Sequence, residues 1–255
     1  MLLIFCVTKV LKRYKIRYMD FAGIQKISLV DYDQKISCTL FTAGCNFRCP
    51  FCHNSDLVIY AKNIHYIPFS EIIDYLNKRK GLLDAVVITG GEPTLMPDLK
   101  EKIIEIRKLG YKIKLDTNGT NPDILKNLVE GGLIDYVAMD IKNSLSNYFK
   151  TVGLENFNQS NIIESINFLL SGAVDYEFRT TLVNEFHSEE DIELIGKLIQ
   201  GAKRYYLQRF INNENCINHD LHEVNQDVAL SFKSILLPYI KKVELRGYDI
   251  DDSNK

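Results

Sequence analysis

Several features that would point to other protein classes are absent from this chain of 255 residues. No apolar run approaches the ~20 residues that a membrane-spanning helix needs, so the sequence predicts no membrane association. Lysine and arginine number 31 against 33 aspartate and glutamate residues. Without a basic stripe, no nucleic-acid partner is expected. No low-complexity stretch or short repeat is present, and 46% hydrophobic residues indicate a folded protein of one large or two small domains.

The start of the chain lacks the features of an export signal. Residues 1–7 are apolar, and five basic residues follow between Lys9 and Arg17. This order reverses that of a signal peptide, and no small-residue cleavage site follows. We therefore expect a cytoplasmic protein. Residues 1–18 are predicted to be an N-terminal extension, either an added strand with a basic arm or the product of an upstream start codon, and the main domain is expected to span residues 19–255.

Short apolar runs alternate with longer amphipathic segments. The predicted strands are Ser37–Thr42, Asp84–Thr89, Lys112–Asp116, Ile134–Ile141, Asp175–Val183, Ala202–Phe210 and Val243–Arg246. The predicted helices are Phe69–Arg79, Asp98–Leu109, Pro122–Glu130, Asn161–Leu170, Ser188–Ile199 and Val224–Ile240. This alternation favours a parallel sheet with helices outside, wound in one direction by right-handed crossovers. Because about six units are too few for a closed (β/α)8 barrel, the sequence predicts an α/β fold, a partial, open (β/α)6 barrel with parallel strands.

Polar or glycine-rich clusters follow the predicted strands. In chain order they are Cys45 and residues 90–93, 116–119, 140–142, 179–181 and 208–210. Active sites of such barrels lie at the C-terminal ends of the strands. The six clusters are therefore expected to meet at one rim, and the open side of the barrel would admit a large substrate there.

Three of the six cysteines lie within eight residues. Cys45, Cys49 and Cys52 have the spacing C-x3-C-x2-C. The scattered cysteines, interpreted as ordinary thiols of a reducing compartment, are Cys6, Cys38 and Cys216. Three thiolates on one loop can hold three corners of a cubane iron–sulfur cluster and leave the fourth iron open to a substrate. The sequence therefore predicts one [4Fe–4S] cluster.

Two other metal sites would use the same residues. The string from Cys49 to His53 is C-x-x-C-H, the haem c attachment pattern, but that chemistry needs export and leaves Cys45 unused. A structural zinc site of Cys3His type is the stronger alternative, although no second C-x-x-C and no paired histidine follow. The Gly-Gly-Glu-Pro string at 90–93 favours the iron–sulfur cluster over both.

The cysteine spacing resembles that of the radical S-adenosylmethionine (SAM) enzymes, and Cys-His-Asn at 52–54 resembles the activases of glycyl radical enzymes. From Met19 onward, nearly the whole chain resembles the activating proteins of anaerobic ribonucleoside-triphosphate reductase, except that Asp33 and Gln34 stand where relatives often have Pro-Gly. The resemblance implies that the amino and carboxylate groups of SAM chelate the open iron. It also implies reductive cleavage of SAM to methionine and a 5′-deoxyadenosyl radical, which takes a hydrogen atom from a glycine of a partner enzyme.

The same resemblance assigns further residues to the cofactor site. Gly90 and Gly91 would let the backbone approach a ligand and offer its N–H groups. Glu92 would accept a hydrogen bond from the ammonium group of SAM. The other residues expected to bind the cofactor are Phe51, His53, Asn54, Asp116, Asn118, Lys142, Arg179 and His187, the last near the adenine.

Asp116 and Asp140 end neighbouring strands, and close carboxylates repel unless a cation or a proton lies between them; the resemblance implies a monovalent cation there. By resemblance to pyruvate formate-lyase activase, its ligands would be Asp116, Thr117, Asp140 and the carbonyl of Ala138. Lys142 would offset charge and reach the substrate. The residues alone leave other roles open: solvated strand-end acids, an internal salt bridge for Arg179, and a surface helix start for His187.

The implied partner is anaerobic ribonucleoside-triphosphate reductase or another glycyl radical enzyme, of which pyruvate formate-lyase is second choice, with a flavodoxin- or ferredoxin-type electron donor. Two rival functions stay open. A small-molecule enzyme such as a 7-carboxy-7-deazaguanine synthase tends to have Cys-Asp where this chain has Cys52-His53. A non-catalytic iron–sulfur or zinc scaffold would not need Glu92 or the pair of Asp116 and Asp140.

Overall fold

One sheet of eight strands organises the part of the chain that the computed structural model describes, residues 20–59 and 64–248. The strands are β1 (Gly23–Ser28), β2 (Ser37–Thr42), β3 (Ala85–Gly90), β4 (Lys112–Thr117), β5 (Tyr136–Asp140), β6 (Asp175–Leu182), β7 (Tyr205–Arg209) and β8 (Val243–Arg246). They cross the sheet in chain order. β1 pairs antiparallel with β2, and every later pair is parallel. The predicted extension, residues 1–18, lies outside the described residues.

Helices connect the parallel strands. They are α1 (Ser55–Ile59), α2 (Phe69–Lys78), α3 (Leu99–Lys108), α4 (Pro122–Glu130), α5 (Tyr148–Val152), α6 (Ser160–Leu170), α7 (Glu189–Leu198) and α8 (Gln226–Leu236). Helix residues such as Ile106 and Ile166 share one apolar core with the strand residues Ile88 and Phe178. Successive crossovers of one hand place the helices on one side of the sheet. None of the described helices combines the length and the apolar character that crossing a bilayer would require.

The strands carry different chemistry on their two faces, because successive side chains of a strand alternate. On β6, Tyr176 and Phe178 belong to the core shared with the helices, which we name the outer face. Glu177 and Arg179 lie on the opposite side, the inner face, where they pair with charged groups of β4 and β8, each two strands away. The inner face leads to the carboxyl ends of the strands, where the predicted site residues lie.

The predicted fold class is confirmed. The strands form an α/β, partial, open sheet that does not close into a barrel within the described residues. The seven parallel strands are joined by six helical connections, as the predicted (β/α)6 pattern with a last strand requires. The largest difference in bounds is at α8, which ends at Leu236 rather than Ile240. Pro238 follows there, and helices usually end at or before the residue that precedes a proline.

The sequence pattern does not predict β1, α1 or α5. β1 has one strand neighbour in the sheet, and its central residues Gln25 and Lys26 are exposed, so it lacks a clear apolar alternation. The helices α1 and α5 have five residues each. They are therefore shorter than the window in which a helical period can be recognised.

The turn between β1 and β2 folds under the inner face and covers its base. Tyr32 is 7% exposed, and its ring centroid lies 5.4 Å from that of Tyr136 on β5. The carbonyl of Asp31 accepts a hydrogen bond of 2.5 Å from Nζ of Lys114 on β4. The inner face is thus closed at the amino ends of the strands and open at the carboxyl ends.

The same turn contains the departure from the related sequences at residues 33–34. Asp33 forms an ion pair of 3.5 Å with Arg246 of β8, which a proline could not make. Gln34 has a φ of 61°, a left-handed conformation that glycine adopts more readily. In this chain Asp33 therefore contacts the last strand, and Gln34 takes the left-handed position of the turn.

Candidate active site

The carboxyl ends of the parallel strands surround a cavity of about 250 Å³. The predicted site residues that line it are Cys45, Cys49, Phe51, Cys52, His53, Asn54, Gly90, Gly91, Glu92, Asp116, Thr117, Asn118, Asp140, Lys142 and Arg179. His187 and Ala138 are not among the lining residues. Parallel strands end at one rim, which explains why residues far apart in sequence meet. What these side chains do toward a cofactor stays a prediction.

Five further residues line the cavity: Phe47, Val58, Thr89, Thr181 and Gln208. Thr181 and Gln208 belong to the strand-end clusters found in the sequence. Thr89 lies two positions after Val87 on the inner face of β3, so strand alternation could have found it. Phe47 and Val58 carry no pattern that separates them from core residues.

Two buried aromatic side chains hold the cysteine loop, residues 45–54, in place. Phe47 packs edge-on against Phe157, with ring centroids 5.3 Å apart, and Phe51 packs against Phe186 at 5.9 Å. The backbone N–H of Phe47 donates to Sγ of Cys45 at 3.3 Å. With these anchors in the core, all three thiols of the loop line the cavity.

The Gly-Gly pair brings the end of β3 against the start of the cysteine loop. A Cβ on Gly91 would lie 1.9 Å from the carbonyl oxygen of Gly44, and one on Gly90 would lie 2.4 Å from the backbone nitrogen of Thr42. The N–H of Gly91 donates to Thr42, and that of Glu92 donates to Gly44. These N–H groups therefore bind the protein itself, and the expectation that Gly91 offers its N–H to a ligand is wrong.

Glu92 joins the ends of β3 and β4. Its side chain is buried, at 1% exposure. Its carboxylate accepts hydrogen bonds from Thr94 N at 3.1 Å and Oγ1 at 2.5 Å, and from Thr117 Oγ1 at 2.7 Å. It also accepts one from the backbone N–H of Asn118 at 2.7 Å. Burial raises the pKa of Glu92, and these donors oppose the shift. An ammonium group of a ligand would have to share a carboxylate that already has four donors.

A protein cation lies between the two strand-end carboxylates. Arg179 donates from Nε to Asp140 at 2.8 Å and from Nη1 to Asp116 at 3.1 Å. Lys142 donates to the other oxygen of Asp140 at 2.8 Å. Although burial alone would raise the pKa of Asp140, these two cations hold it well below its usual range. The guanidinium group thus lies between the two carboxylates, and Arg179 forms the internal salt bridge that the sequence left open; a monovalent cation at this place stays a prediction.

The donor geometry bears on the kind of metal that could bind. Within the described residues, no three or more His, Cys, Asp or Glu side chains converge as the ligands of a metal ion. In a cubane cluster each cysteine binds a different iron, so convergence on one position is not required. The three thiols around one cavity are therefore compatible with a cluster.

One buried oxygen in the cavity has no hydrogen-bond donor. Oδ1 of Asp116 is buried and accepts no hydrogen bond from the described residues. Nζ of Lys114 lies 3.7 Å away, an ion-pair distance. Buried polar atoms are nearly always hydrogen-bonded in native proteins. Asp116 itself lines the cavity with the three thiols, so its carboxylate has acceptor capacity left for a ligand that brings a cationic donor.

Burial keeps the three thiols protonated in the protein alone. It raises the pKa of Cys45 to about 11 and that of Cys49 to about 12, and it raises the pKa of Cys52 as well. The ammonium group of Lys142 opposes the shift at each thiol. Binding of a metal or cluster must therefore displace protons from this loop.

His187 lies behind the rim rather than in the cavity. It is 5% exposed, and its Nε2 lies 2.9 Å from the carbonyl oxygen of Lys142. The backbone N–H of Val183 donates to its Nδ1 at 3.0 Å. Burial lowers the pKa of His187. It is therefore a buried residue behind the cavity wall rather than a surface histidine, and its place near an adenine stays a prediction.

The loop that follows β7 covers one side of the cysteine loop. The ring of His53 stacks on Phe210 with centroids 5.4 Å apart, and its Nε2 lies 2.8 Å from the carbonyl oxygen of Ile211. The backbone N–H of Asn218 donates to the carbonyl of Pro50 at 2.9 Å. His53 therefore packs against the loop after β7, a contact that its position after the third cysteine does not predict.

Comparisons with known proteins agree with this geometry. The family model of the radical SAM superfamily matches residues 39–199, more than half of the chain. A protein of Methanocaldococcus jannaschii whose name gives it as a candidate glycyl-radical enzyme activating enzyme is 39% identical over 132 residues, 50% of this chain and 52% of that protein. The pyruvate formate-lyase-activating enzyme of Staphylococcus aureus strain USA300 is 34% identical over 84 residues, 31% of this chain and 34% of that protein.

The matched segments span about half of the first relative's length and a third of the second's. Among solved structures, Streptococcus suis SuiB bound to its precursor peptide SuiA has a TM-score of 0.62 at 14% identity, over 81% of this chain and 47% of that one. At this identity the structural likeness establishes the fold alone. It agrees with the open sheet described above.

Proposed function

We propose that this chain, which belongs to the radical SAM superfamily, is the activase of a glycyl radical enzyme. The first candidate for its target is anaerobic ribonucleoside-triphosphate reductase. One observation carries the proposal: the three thiols of the C-x3-C-x2-C loop line the same cavity as the strand-end charges of Asp116, Asp140, Lys142 and Arg179. The names of the two relatives support this class of reaction. The Cys-His-Asn string at 52–54 supports an activase over the small-molecule enzymes.

The cavity residues fit the two groups that the superfamily implies, a [4Fe–4S] cluster and SAM. Cys45, Cys49 and Cys52 would hold the cluster, since they share a loop and line one cavity. When bound, the reduced cluster supplies the electron that splits SAM into methionine and a 5′-deoxyadenosyl radical. The protein's own task is to bind and orient the substrate and to keep water out.

The charged groups of the rim can bind both ends of an amino acid. Asp116 lines the cavity, and because its Oδ1 accepts no hydrogen bond from the described residues, we assign its carboxylate as an acceptor for an ammonium group. Among the described residues, Arg179 uses Nε and Nη1, and Lys142 uses one donor on Asp140. A guanidinium has five donors and an ammonium three, so N–H groups of both side chains are available to a carboxylate. We assign the methionine part of SAM to this end of the cavity.

The open side of the sheet suits a protein substrate. β1 and β8 are the two edges of the sheet and do not pair with each other, so a peptide loop of a partner has a lateral path to the rim. We assign the hydrogen abstraction to a glycine carried on such a loop, and the supply of electrons to a flavodoxin- or ferredoxin-type donor. Residues 19–255 would form the catalytic domain, with residues 1–18 dispensable.

A second target is favoured by one comparison. The match to the pyruvate formate-lyase-activating enzyme covers 84 residues at 34% identity. Pyruvate formate-lyase is therefore the second candidate partner. Both candidates carry the radical on a glycine, so the same assay, run with each partner in turn, distinguishes them.

The test is an anaerobic reaction of the reconstituted protein with SAM, a strong reductant and each candidate partner in turn. We expect methionine and 5′-deoxyadenosine to be released, and the electron paramagnetic resonance (EPR) doublet of a glycyl radical to develop on the reductase. The Cys49→Ala protein is the matched control and should yield neither product. Deoxyadenosine without a glycyl doublet on any glycyl enzyme of the same organism would favour a small-molecule substrate. An intact reduced cluster that releases no deoxyadenosine would overturn the radical reaction itself.

A further inference from the structure

The loop after β5 brings an ammonium group to the cysteine loop. Nζ of Lys142 lies 2.8 Å from Asp140 and 6.0 Å from the ring centroid of Phe51, which stands between the second and third cysteines. It lines the cavity together with the three thiols. Its effect on the pKa of each thiol indicates the same proximity. Lys142 is therefore placed to act on whatever the thiols bind.

The backbone of Lys142 is held from both sides. Its N–H donates to the hydroxyl of Tyr148 at 3.2 Å, and its carbonyl lies 2.9 Å from Nε2 of His187. Nδ1 lies 3.0 Å from the N–H of Val183 and 3.1 Å from its carbonyl oxygen, whereas the partner of Nε2 is an acceptor, the Lys142 carbonyl. The arrangement that satisfies both nitrogens of the neutral ring therefore has its proton on Nε2. His187 thus donates to the Lys142 carbonyl.

The two partners belong to different parts of the fold. His187 lies just before α7 and is 5% exposed, and Tyr148 is the first residue of α5 and fully buried. Both side chains are fixed by packing, so their contacts restrict where the main chain of Lys142 can lie. Contacts of this kind orient the groups that act on a metal centre.

We propose that His187 is a positioning residue: by holding the carbonyl of Lys142, it keeps that ammonium group between Asp140 and the cysteine loop. This inference rests on the proposed function, because the group that it would influence is a cluster on that loop. Reduction adds negative charge to a cluster, and a fixed cation nearby favours the reduced form. Tyr148, whose hydroxyl accepts a hydrogen bond from the backbone N–H of Lys142, helps to hold the same ammonium group in place.

Two substitutions of His187 separate the hydrogen bond from the volume of the ring. In His187→Gln the side-chain amide reaches the position of Nε2 and can still donate to Lys142. In His187→Asn the amide reaches only the position of Nδ1 and cannot. Lys142→Met, which removes the charge of the side chain, gives the reference change in the ratio of reduced to oxidised cluster. The measurement is a redox titration of the reconstituted cluster by EPR, with iron content and circular dichroism recorded for each protein.

At a potential where half of the wild-type cluster is reduced, we expect Lys142→Met to lower the ratio of reduced to oxidised cluster about tenfold. This change corresponds to about 59 mV for one electron. His187→Asn should lower the ratio in the same direction, and His187→Gln should stay within about twofold of wild type. The double variant His187→Asn/Lys142→Met should equal Lys142→Met, because both changes act through one group.

If His187→Asn does not fold, Tyr148→Phe takes its place, since it removes the acceptor of the Lys142 N–H, and it should lower the ratio as well. The proposal is overturned if folded, fully loaded His187→Asn or Tyr148→Phe keeps the wild-type ratio. It is also overturned if Gln and Asn have equal effects, or if the double variant is additive. A wild-type protein that binds no cluster would overturn the proposed function, and this inference with it.

Discussion

The outer and inner faces of strands β4–β8 belong to the same strands but differ in composition. The outer face is an apolar core in which Val137, Tyr176 and Leu207 are buried against helix side chains. The inner face carries a row of charges, in which Arg179 bridges Asp116 and Asp140. One backbone therefore supports two kinds of surface, and the difference shows which of them stabilises the fold and which serves the site.

The two faces contribute differently to stability. Burial of a large apolar side chain contributes about 1.5–3 kcal/mol, so the outer face stabilises the fold directly. A buried ion pair must offset the cost of removing both charges from water, and its net contribution is often near zero. We therefore expect the inner face to serve binding rather than stability. Each of its charges is stabilised by the others, so loss of one should leave its partners buried and unpaired.

Iron content should show the largest difference between the faces. Cys49→Ala removes a thiol of the cavity and should abolish cluster binding. Cys38 is fully buried on the outer face of β2, so Cys38→Ala should lower the free energy of unfolding without loss of cluster. Iron and sulfide per chain after anaerobic reconstitution measure both. Full iron content in Cys49→Ala, or none in folded Cys38→Ala, would contradict this division.

The next comparison uses neighbouring residues of β6. Phe178→Ala on the outer face should cost about 3–5 kcal/mol through lost packing, and Arg179→Met on the inner face about 3–5 kcal/mol, because two buried carboxylates lose their partner. Urea unfolding measures both losses. Adding Asp140→Asn should restore part of the Arg179→Met loss and none of the Phe178→Ala loss. Purely additive losses in both pairs would show that the inner charges are independent.

Acid should act on the inner face. Burial alone would raise the pKa of Asp140 and Glu177, but Arg179 and Lys142 lower that of Asp140, and cations that include Arg246 lower that of Glu177. Because the folded-state pKa lies below the unfolded value of about 4, each carboxylate stabilises the protein above about pH 4. This contribution is lost as pH falls through the folded-state value. Between pH 7 and pH 3, the unfolding free energy should fall less steeply in Asp140→Asn than in the wild type. Equal slopes would show that Asp140 does not contribute to the loss of stability in acid.

Glu92→Gln tests a carboxylate that is saturated by the protein. In Glu92→Gln an NH2 group replaces one carboxylate oxygen and faces the N–H and O–H groups that donate to that oxygen in the wild type. The cluster-free protein should therefore lose about 1–3 kcal/mol of stability. Thr94→Val, which removes one donor, is the matched control and should lose less. Unfolding in urea measures both proteins. Unchanged stability together with weaker SAM binding would return Glu92 to the role expected from the sequence.

The smallest effect is expected for deletion of residues 1–18. No predicted site residue lies before Met19, and these residues lie outside those that the structure describes. The truncated protein should release 5′-deoxyadenosine at the rate of the full chain. A large loss with unchanged iron content would show that the segment belongs to the fold or the site.

Most of the outer face could be predicted from the sequence. Val86 and Ile88, which belong to a short apolar run, lie on this face, and β2 and β8 have their predicted bounds. Periodicity works there because burial against helices requires apolar side chains. The meeting of the strand ends could be predicted as well, since it follows from parallel topology.

Hydrogen-bond partners could not be predicted in this way. The sequence places Glu92 and Gly91 at the rim, but nothing in the order of residues shows that their donors and acceptors are already paired within the protein. Likewise His187 was expected near a ligand, and it lies behind Lys142. Such choices depend on distances of a few tenths of an ångström between elements that are remote in the chain.

The contact of Asp33 with Arg246 has a consequence for the open side of the sheet. The sheet is open in its backbone pairing, but this ion pair of 3.5 Å joins the first hairpin to the last strand. The described residues thus form a ring whose final link is ionic and partly exposed to solvent. Dissolved salt weakens such a link while leaving backbone ladders unaffected. The link between the first hairpin and the last strand should therefore weaken as the ionic strength of the surrounding solution rises.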